Sequence, residues 1–310
     1  VKSPINGSYK RGNRSRLHSS SIGLVPLNWH YKSSEAETFL SEIARLGFKG
    51  IQISNEQCET PLFLQELTSQ DLVPAEQYCA IECITDGPIQ GSAASSEETI
   101  RLAAQAGAEM IVFAVGGSDD RDSYAGRTAE APKLTAVGYA ALANHISTFA
   151  KMAHESGMKS SFHPHAATYV ESPEETRILM NLLEIDLVGL CMDTGHWIVG
   201  GGDSAAAIAE YGSRVTHVHV KDVDAEVLRS LISQEIKTMT IAVDDYKMFT
   251  PAGVGMLDLR GLFQALDQIG FEGWLMSEQD TSWEAPTEAS AISIRTIEYE
   301  LKNQFHSTRP

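Results

Sequence analysis

Side chains able to do chemistry collect at the ends of apolar runs in the second half of the chain. They are His163, His165 and Glu171; Asp193 and His196; His217, His219 and Lys221; Glu278 and Asp280. In the run His217-Val218-His219-Val220-Lys221 an extended backbone turns the three polar side chains to one face and the two valines to the other. Ser161, His163 and His165 share a face in the same way. Imidazoles and carboxylates from neighbouring strands are ligands for Mn²⁺, Co²⁺, Mg²⁺ or Zn²⁺, and carboxylates favour the harder ions, Mn²⁺ first. A divalent cation of this kind polarises a carbonyl, while a histidine or lysine beside it trades protons.

Each residue also has a plainer use. Asp193 can cap a helix through Thr194-Gly195, and His163 and His165 can form a hydrogen-bonded pair around Pro164. His217 fits a supporting place beside His219, and Glu171-Ser172-Pro173 is a common helix start. Trp29 and Trp197 can pack in a core or cover the apolar face of a polyol ring. Glu278 as a mere ion-pair partner would be a costly carboxylate in an apolar strand, so ligation is the better expectation.

The elements that position these groups alternate between short β-rich runs and helical patterns. Strands are expected at 22–27, 50–54, 78–85, 110–115, 159–165, 187–193, 215–221 and 273–278. Helices are expected at 35–46, 62–69, 96–106, 136–156, 173–183, 204–211, 259–269 and 285–301. "LGFKGIQI", "AGAEMIVF" and "IGFEGWLM" each run from a helix end through a glycine into a buried strand. Eight such units predict an α/β protein, a (β/α)8 TIM barrel over residues 21–303. An open doubly wound sheet uses the same units, but Asn28-Trp29-His30-Tyr31 after the first strand cannot make its phosphate-binding turn. Two long connections, 116–135 and 223–249, belong on the C-terminal face of a barrel, where loops carry chemistry.

Composition narrows the functions. The chain has 310 residues, 43% hydrophobic and 21% charged, as expected of a globular protein. No apolar run approaches bilayer length, so a membrane partner is not expected. With 41 acidic and 24 basic residues the net charge is −17. Residues 1–20 contain Lys2, Lys10, Arg11, Arg14 and Arg16 and no acid, so without those five charges the rest stands at −22. Such a field repels phosphate backbones, and nucleic acid is not an expected partner. The basic segment is expected to be a flexible arm, and 304–310 a C-terminal tail. Cys58, Cys79, Cys83 and Cys191 lack metal-ribbon or redox spacing and suit reduced core residues of a cytoplasmic protein.

The stretches "GLVPLNWH", "LGFKGIQIS", "FHPHAATYVES", "CMDTGHWIVGGGD", "RVTHVHVKDVD", "PAGVGMLDLRGLFQALDQIGFEGW" and "MSEQD" together resemble the xylose-isomerase-like barrel family, also called AP endonuclease 2-type sugar isomerases and epimerases. The likeness is strongest to its inosose (2-keto-myo-inositol) dehydratase branch, and it runs from Ile22 to Asp280. It implies metal ligation by Asp193, His219 and Glu278, a substrate-contacting Lys221 and a catalytic His163 next to the reacting carbon. His165 and Glu171 are further catalytic candidates; Trp29, Gln52, His196 and Trp197 are substrate-binding candidates. Many relatives carry a metal-binding glutamate where this chain has Ser161, which leaves the fourth ligand among His163, His165, Glu171 and water, with His163 the provisional choice. Gln52 stands where relatives often have a glutamate, and its amide cannot act as a base.

The expected activity is therefore a metal-dependent hydro-lyase working through an enediolate on a keto-polyol, in inositol catabolism. A ketose epimerase or isomerase, a 3-keto-glycoside-eliminating enzyme and a non-catalytic polyol-binding barrel are the alternatives, and a homo-oligomer is compatible with all of them. The endonucleases of the same family would want a basic surface, which this chain lacks. Residues 1–20 lie outside every matching motif, so their deletion should leave kcat/KM for the physiological keto-polyol unchanged; a tenfold loss in a steady-state assay would show that they serve the site.

Overall fold

The computed structural model describes residues 22–31 and 35–307. The basic segment 1–20 lies outside the described residues. Eight parallel strands close into a barrel: β1 (Ile22–Val25), β2 (Gly50–Ile53), β3 (Val73–Ile81), β4 (Met110–Val115), β5 (Lys159–His163), β6 (Gly189–Asp193), β7 (Val215–Val220) and β8 (Leu275–Glu278). Each pairs with its neighbours in sequence order and β8 closes onto β1, Val25 lying opposite Glu278. The (β/α)8 barrel expected from the repeated units is the architecture.

The outer helices include α1 (Ala36–Leu46), α2 (Pro61–Ser69), α3 (Ser92–Ala106), α4 (Ala136–Glu155), α5 (Pro173–Leu182), α6 (Ser204–Tyr211), α7 (Leu259–Ile269) and α8 (Pro286–Ser307). In α1, Ala36, Phe39, Leu40 and Ile43 are buried against the sheet, the spacing of one helical face. The glycines of the three echoing motifs do what a helix C-terminus requires: Gly47, Gly107 and Gly270 take φ of 107°, 76° and 68°, a left-handed conformation open to glycine at little cost. The chain can then turn at once into β2, β4 and the approach to β8. Helix α8 continues past 303, so the first part of the expected tail is helical.

One strand is displaced from its expected place. Residues 78–85 look β-rich, but β3 begins at Val73, and 83–88 instead make a small hairpin, Cys83–Ile84 against Gly87–Pro88. Register decides this: Gly50 pairs with Val73 and Gln52 with Glu76. Pro74 is tolerated near the strand start. The shift turns Glu76 into the barrel interior, where it is fully buried.

The long connections are more ordered than their composition suggests. Residues after β7 form helices Ala225–Ile232 and Met239–Asp244. Leu228, Leu231, Ile236, Met239, Ala242 and Phe249 bury against Ala166, Ala167 and Val199, a second small core above the barrel mouth. Asp222 ties this region down: its buried carboxylate accepts N–H bonds from Val223 (2.8 Å), Gly253 (2.9 Å), Gly255 (3.0 Å) and Leu257 (2.8 Å). Asp222→Ala would orphan four donors, and we expect a loss of about 3 kcal/mol in urea unfolding. A loss under about 1 kcal/mol would show that water replaces the carboxylate.

Candidate active site

The carboxyl ends of β5, β6, β7 and β8 bring His163, Asp193, His219 and Glu278 together, all buried, with ligand atoms within 4.8 Å of one another. Asp193 and His219 are direct register partners across β6 and β7. Asp193 divides its two oxygens between two jobs. Oδ1 accepts the His196 N–H at 2.7 Å, capping the short helix Thr194–Val199, and Oδ2 lies 3.3 Å from His163 Nε2 and 3.7 Å from His219 Nδ1. The helix-cap and site readings of this residue are both realised, and the cap fixes the direction of the free oxygen.

Glu278 Oε2 lies 2.5 Å from His219 Nδ1, yet neither atom has a hydrogen-bond partner of good geometry, and His163 Nδ1 has none either. Burial pushes the His219 ring down, and the acidic groups around it, Glu76 and Glu278 among them, more than reverse this and hold it well above its ordinary pKa, so positive charge is favoured at this spot. Two imidazoles and two carboxylates with unused lone pairs suit a divalent cation of the Mn²⁺ or Zn²⁺ type. Ser161 takes no part: its Oγ is 2.7 Å from Thr216 Oγ1 and 3.4 Å from Met110 Sδ, lower in the barrel. His163 stands in the fourth corner instead.

Beside this quartet lies a buried lysine. Lys221 is fully buried, with Nζ 2.7 Å from Glu278 Oε1, 2.8 Å from Asp280 Oδ2, 2.9 Å from His196 Nε2 and 4.4 Å from the centre of the Phe249 ring. Burial opposes its charge, but Asp280, Glu278 and Asp193 overcome this and raise its pKa above the usual lysine value. The same attraction works in reverse on the carboxylates. Burial pushes Asp193 up, and Lys221 and His196 more than reverse it, leaving Asp193 well below its ordinary range. Glu278 is lowered likewise by Lys221 and His219. Asp280 goes the other way, because burial wins there.

His165 stacks on His196 with ring centres 3.7 Å apart and turns Nδ1 to the Ala166 carbonyl at 2.7 Å. Burial, then the charges of His163 and Lys221, push its pKa down to about 3, so its ring stays neutral with Nε2 free to accept. His165, His196, Phe249 and Asp280 line a cavity of 380 Å³ whose outer wall carries Asp119, Asp122, Met239 and Asp244.

Three other expected site residues lie elsewhere. Glu171 is buried, but it accepts N–H bonds from Gly126 at 2.6 Å and Ala167 at 2.9 Å and faces Arg121 at 3.8 Å. Arg121 in turn is clamped by Glu175 at 2.9 Å. Both Glu171 oxygens are thus spent on bracing the loops after β4 and β5, neither on the quartet or the cavity. Burial raises its carboxyl to about 7 against the pull of those donors. Trp197 is a core residue, its indole N–H donating to Asp203 O at 3.2 Å while Gly202 passes against the ring. Trp29 packs edge-on to Phe39 and donates to Ser290 Oγ at 3.1 Å. Gln52 is half-buried on β2, level with Glu76.

Two residues at the site were not foreseen. Glu76 and Tyr78 project inward from β3, Tyr78 edge-on to His163 at 5.9 Å, with its hydroxyl kept protonated by burial and by Glu278. The signal was present as a period-two pattern, Gln77 and Cys79 turned to the helix layer and Glu76 and Tyr78 inward, but it begins at a bulge at Ala75 and a strand placed at 78–85 hides it.

With this geometry in hand, the chain belongs to the family described as xylose isomerase-like TIM barrel, whose model matches residues 40–298. It is 27% identical over 278 residues to an inosose dehydratase of Clostridium beijerinckii, covering 86% of this chain and 92% of that one. Among solved structures, a 3-keto-D-glucoside 4-epimerase from E. coli superposes with a TM-score of 0.67 at 15% identity, covering 90% of this chain and 99% of that one. The IOLI protein, solved with a zinc atom, superposes with a TM-score of 0.66 at 14% identity, covering 91% and 98%.

Glu171→Gln tests its assignment. It should cost about 1–2 kcal/mol of stability and leave the cation stoichiometry, measured by atomic absorption, unchanged. Loss of the cation in a folded Glu171→Gln protein would return this residue to the ligand set.

Proposed function

We propose that this chain is a cation-dependent hydro-lyase that removes water from a keto-polyol of the 2-keto-myo-inositol type. The observation carrying this reading is one juxtaposition: the four-ligand quartet His163, Asp193, His219 and Glu278 directly abuts the chain His165, His196 and Lys221. The inosose dehydratases among its relatives support the reaction and the substrate. A divalent cation held by the quartet, Mn²⁺ first with Zn²⁺, Co²⁺ or Mg²⁺ as alternatives, supplies Lewis acidity at the ketone oxygen and so acidifies the neighbouring C–H.

The chain's own groups do the remaining work. The sequence-based choice of base, His163, passes to His165, because His163 is turned onto Asp193 within the quartet. His165 accepts the α-proton at Nε2, its tautomer set by the Nδ1–H bond to Ala166, as Lys221 gives up its own proton and so removes one of the charges that hold the His165 pKa down. The electron pair of the broken C–H bond becomes the C=C bond of the product, and the β C–O bond breaks. Lys221 donates its proton to the departing hydroxide, which leaves as water. Hydroxide, the base of an acid with pKa about 15.7, is strong enough to take that proton even from a stabilised ammonium. His196 holds the pair in place: its ring stacks on His165, its Nδ1 accepts the Ala166 N–H at 3.2 Å, and its Nε2 lies 2.9 Å from Lys221 Nζ.

Epimerisation is the second reading, favoured by the fold's keto-glucoside epimerase. It would use the same α-proton removal and then return the proton to carbon. Loading the protein with Mn²⁺ and offering 2-keto-myo-inositol, ketoses and 3-keto-glycosides separates the two by ultraviolet absorbance. An enone from keto-inositol is expected; an epimer with no enone from any substrate would overturn the dehydratase reading. Chelation should abolish turnover and added Mn²⁺ restore it, and His219→Ala should lose bound cation and activity together.

A further inference from the structure

Below the quartet, on the interior of the barrel, Glu76 is fully buried and holds two histidines with one oxygen. His219 Nε2 lies 2.9 Å from Glu76 Oε2, and His217 Nε2 is hydrogen-bonded to the same atom. No other hydrogen bond reaches either ring among the described residues; the Nδ1 atoms of both are without a partner. An ionised carboxylate only accepts, so both rings must carry their proton on Nε2. Nδ1 of His219, on the other side of the ring, faces Asp193 Oδ2 and Glu278 Oε2, and it is the nitrogen left to offer a lone pair when a cation sits in the quartet.

We infer that Glu76 is a positioning residue for the cation: it fixes the tautomer and ring plane of His219 so that Nδ1 is presented to the quartet, and it holds His217 as a second prop from beneath. This inference rests on the cation reading above. The fold makes the arrangement rigid. Glu76 comes from β3 and the two histidines from β7, so the hydrogen bonds span the barrel interior. A neutral amide in place of Glu76 still fits but loses the negative charge that makes the imidazole a stronger ligand. Loss of such a supporting carboxylate commonly weakens metal affinity about 10–100-fold.

Two measurements test this. Apo wild type and Glu76→Gln are titrated with Zn²⁺ and with Mn²⁺ against a chromophoric chelator, with circular dichroism to check the fold. Wild type should bind one equivalent, and Glu76→Gln should bind about 10–100-fold more weakly, while His217→Gln, which leaves the Glu76–His219 bond in place, should lose far less. In parallel, long-range ¹H–¹⁵N spectra of Zn²⁺-loaded wild type with labelled histidine should show His219 and His217 both protonated on Nε2. That spectrum needs no variant, so it decides the matter even if Glu76→Gln does not fold. A proton on Nδ1 of His219 overturns the inference, as does equal affinity in Glu76→Gln. Two equivalents in wild type would make Glu76, His217 and His219 ligands of a second ion and overturn it too. If wild type binds no cation, the cation reading fails along with it, whereas tight binding in both proteins sinks the Glu76 inference alone.

Discussion

Placing several carboxylates within a few ångströms of one another, out of water, is the constraint on which the rest of this structure turns. Asp193, Glu278 and Glu76 are buried at the barrel mouth and interior, with Asp280 beside them. Each would be costly to ionise alone, since burial by itself raises a carboxyl's pKa. The fold answers with positive or proton-bearing partners on facing strands: Lys221 for Glu278 and Asp280, His219 and His217 for Glu76. In the quartet above, Glu278 Oε2 and the Nδ1 atoms of His163 and His219 are left without a hydrogen-bond partner, and a cation would use them.

Much of the surrounding architecture can be understood as holding those charges still. The parallel register sets Asp193 beside His219, and the helix beginning at Thr194 takes one Asp193 oxygen so that the other cannot wander. Thr194 Oγ1 reaches the backbone of Lys221, and Gly195 passes so close to the Lys221 stem that a methyl group there would collide with it. Asp222, Glu171 and Arg121 do comparable work one layer out, anchoring the loops that roof the cavity. These outer charged groups look chemical in sequence, yet their hydrogen-bonding capacity is spent on backbone or on each other.

The fold was legible because its local signals agree. Helix, left-handed glycine and buried strand recur at Gly47, Gly107 and Gly270, and only a repeated βα unit explains all three. The inward-facing residues of β7 were legible for a related reason: His217-Val218-His219-Val220-Lys221 has a period of two, and strand geometry converts that period into one polar interior face. The roles of Glu171, Trp29 and Trp197 were not, because a buried glutamate or tryptophan has the same appearance in sequence whether it touches substrate, backbone or core. Strand β3 was set too late, since its inward Glu76 interrupts the apolar run that marks a strand.

By itself, the sequence determined the barrel and, for strands β5 to β8, the set of chemically able residues and the face they share, all of which follow from local periodicity and backbone conformation. Tertiary structure alone decided which of those residues meet. His163 rather than Ser161 fills the fourth corner, Glu171 is diverted to the Gly126 and Ala167 amides, and Glu76 crosses the barrel to His217 and His219. Those outcomes depend on strand register and barrel closure, which bring together groups up to 143 positions apart. Spacing along the chain carries no information about distances of that kind.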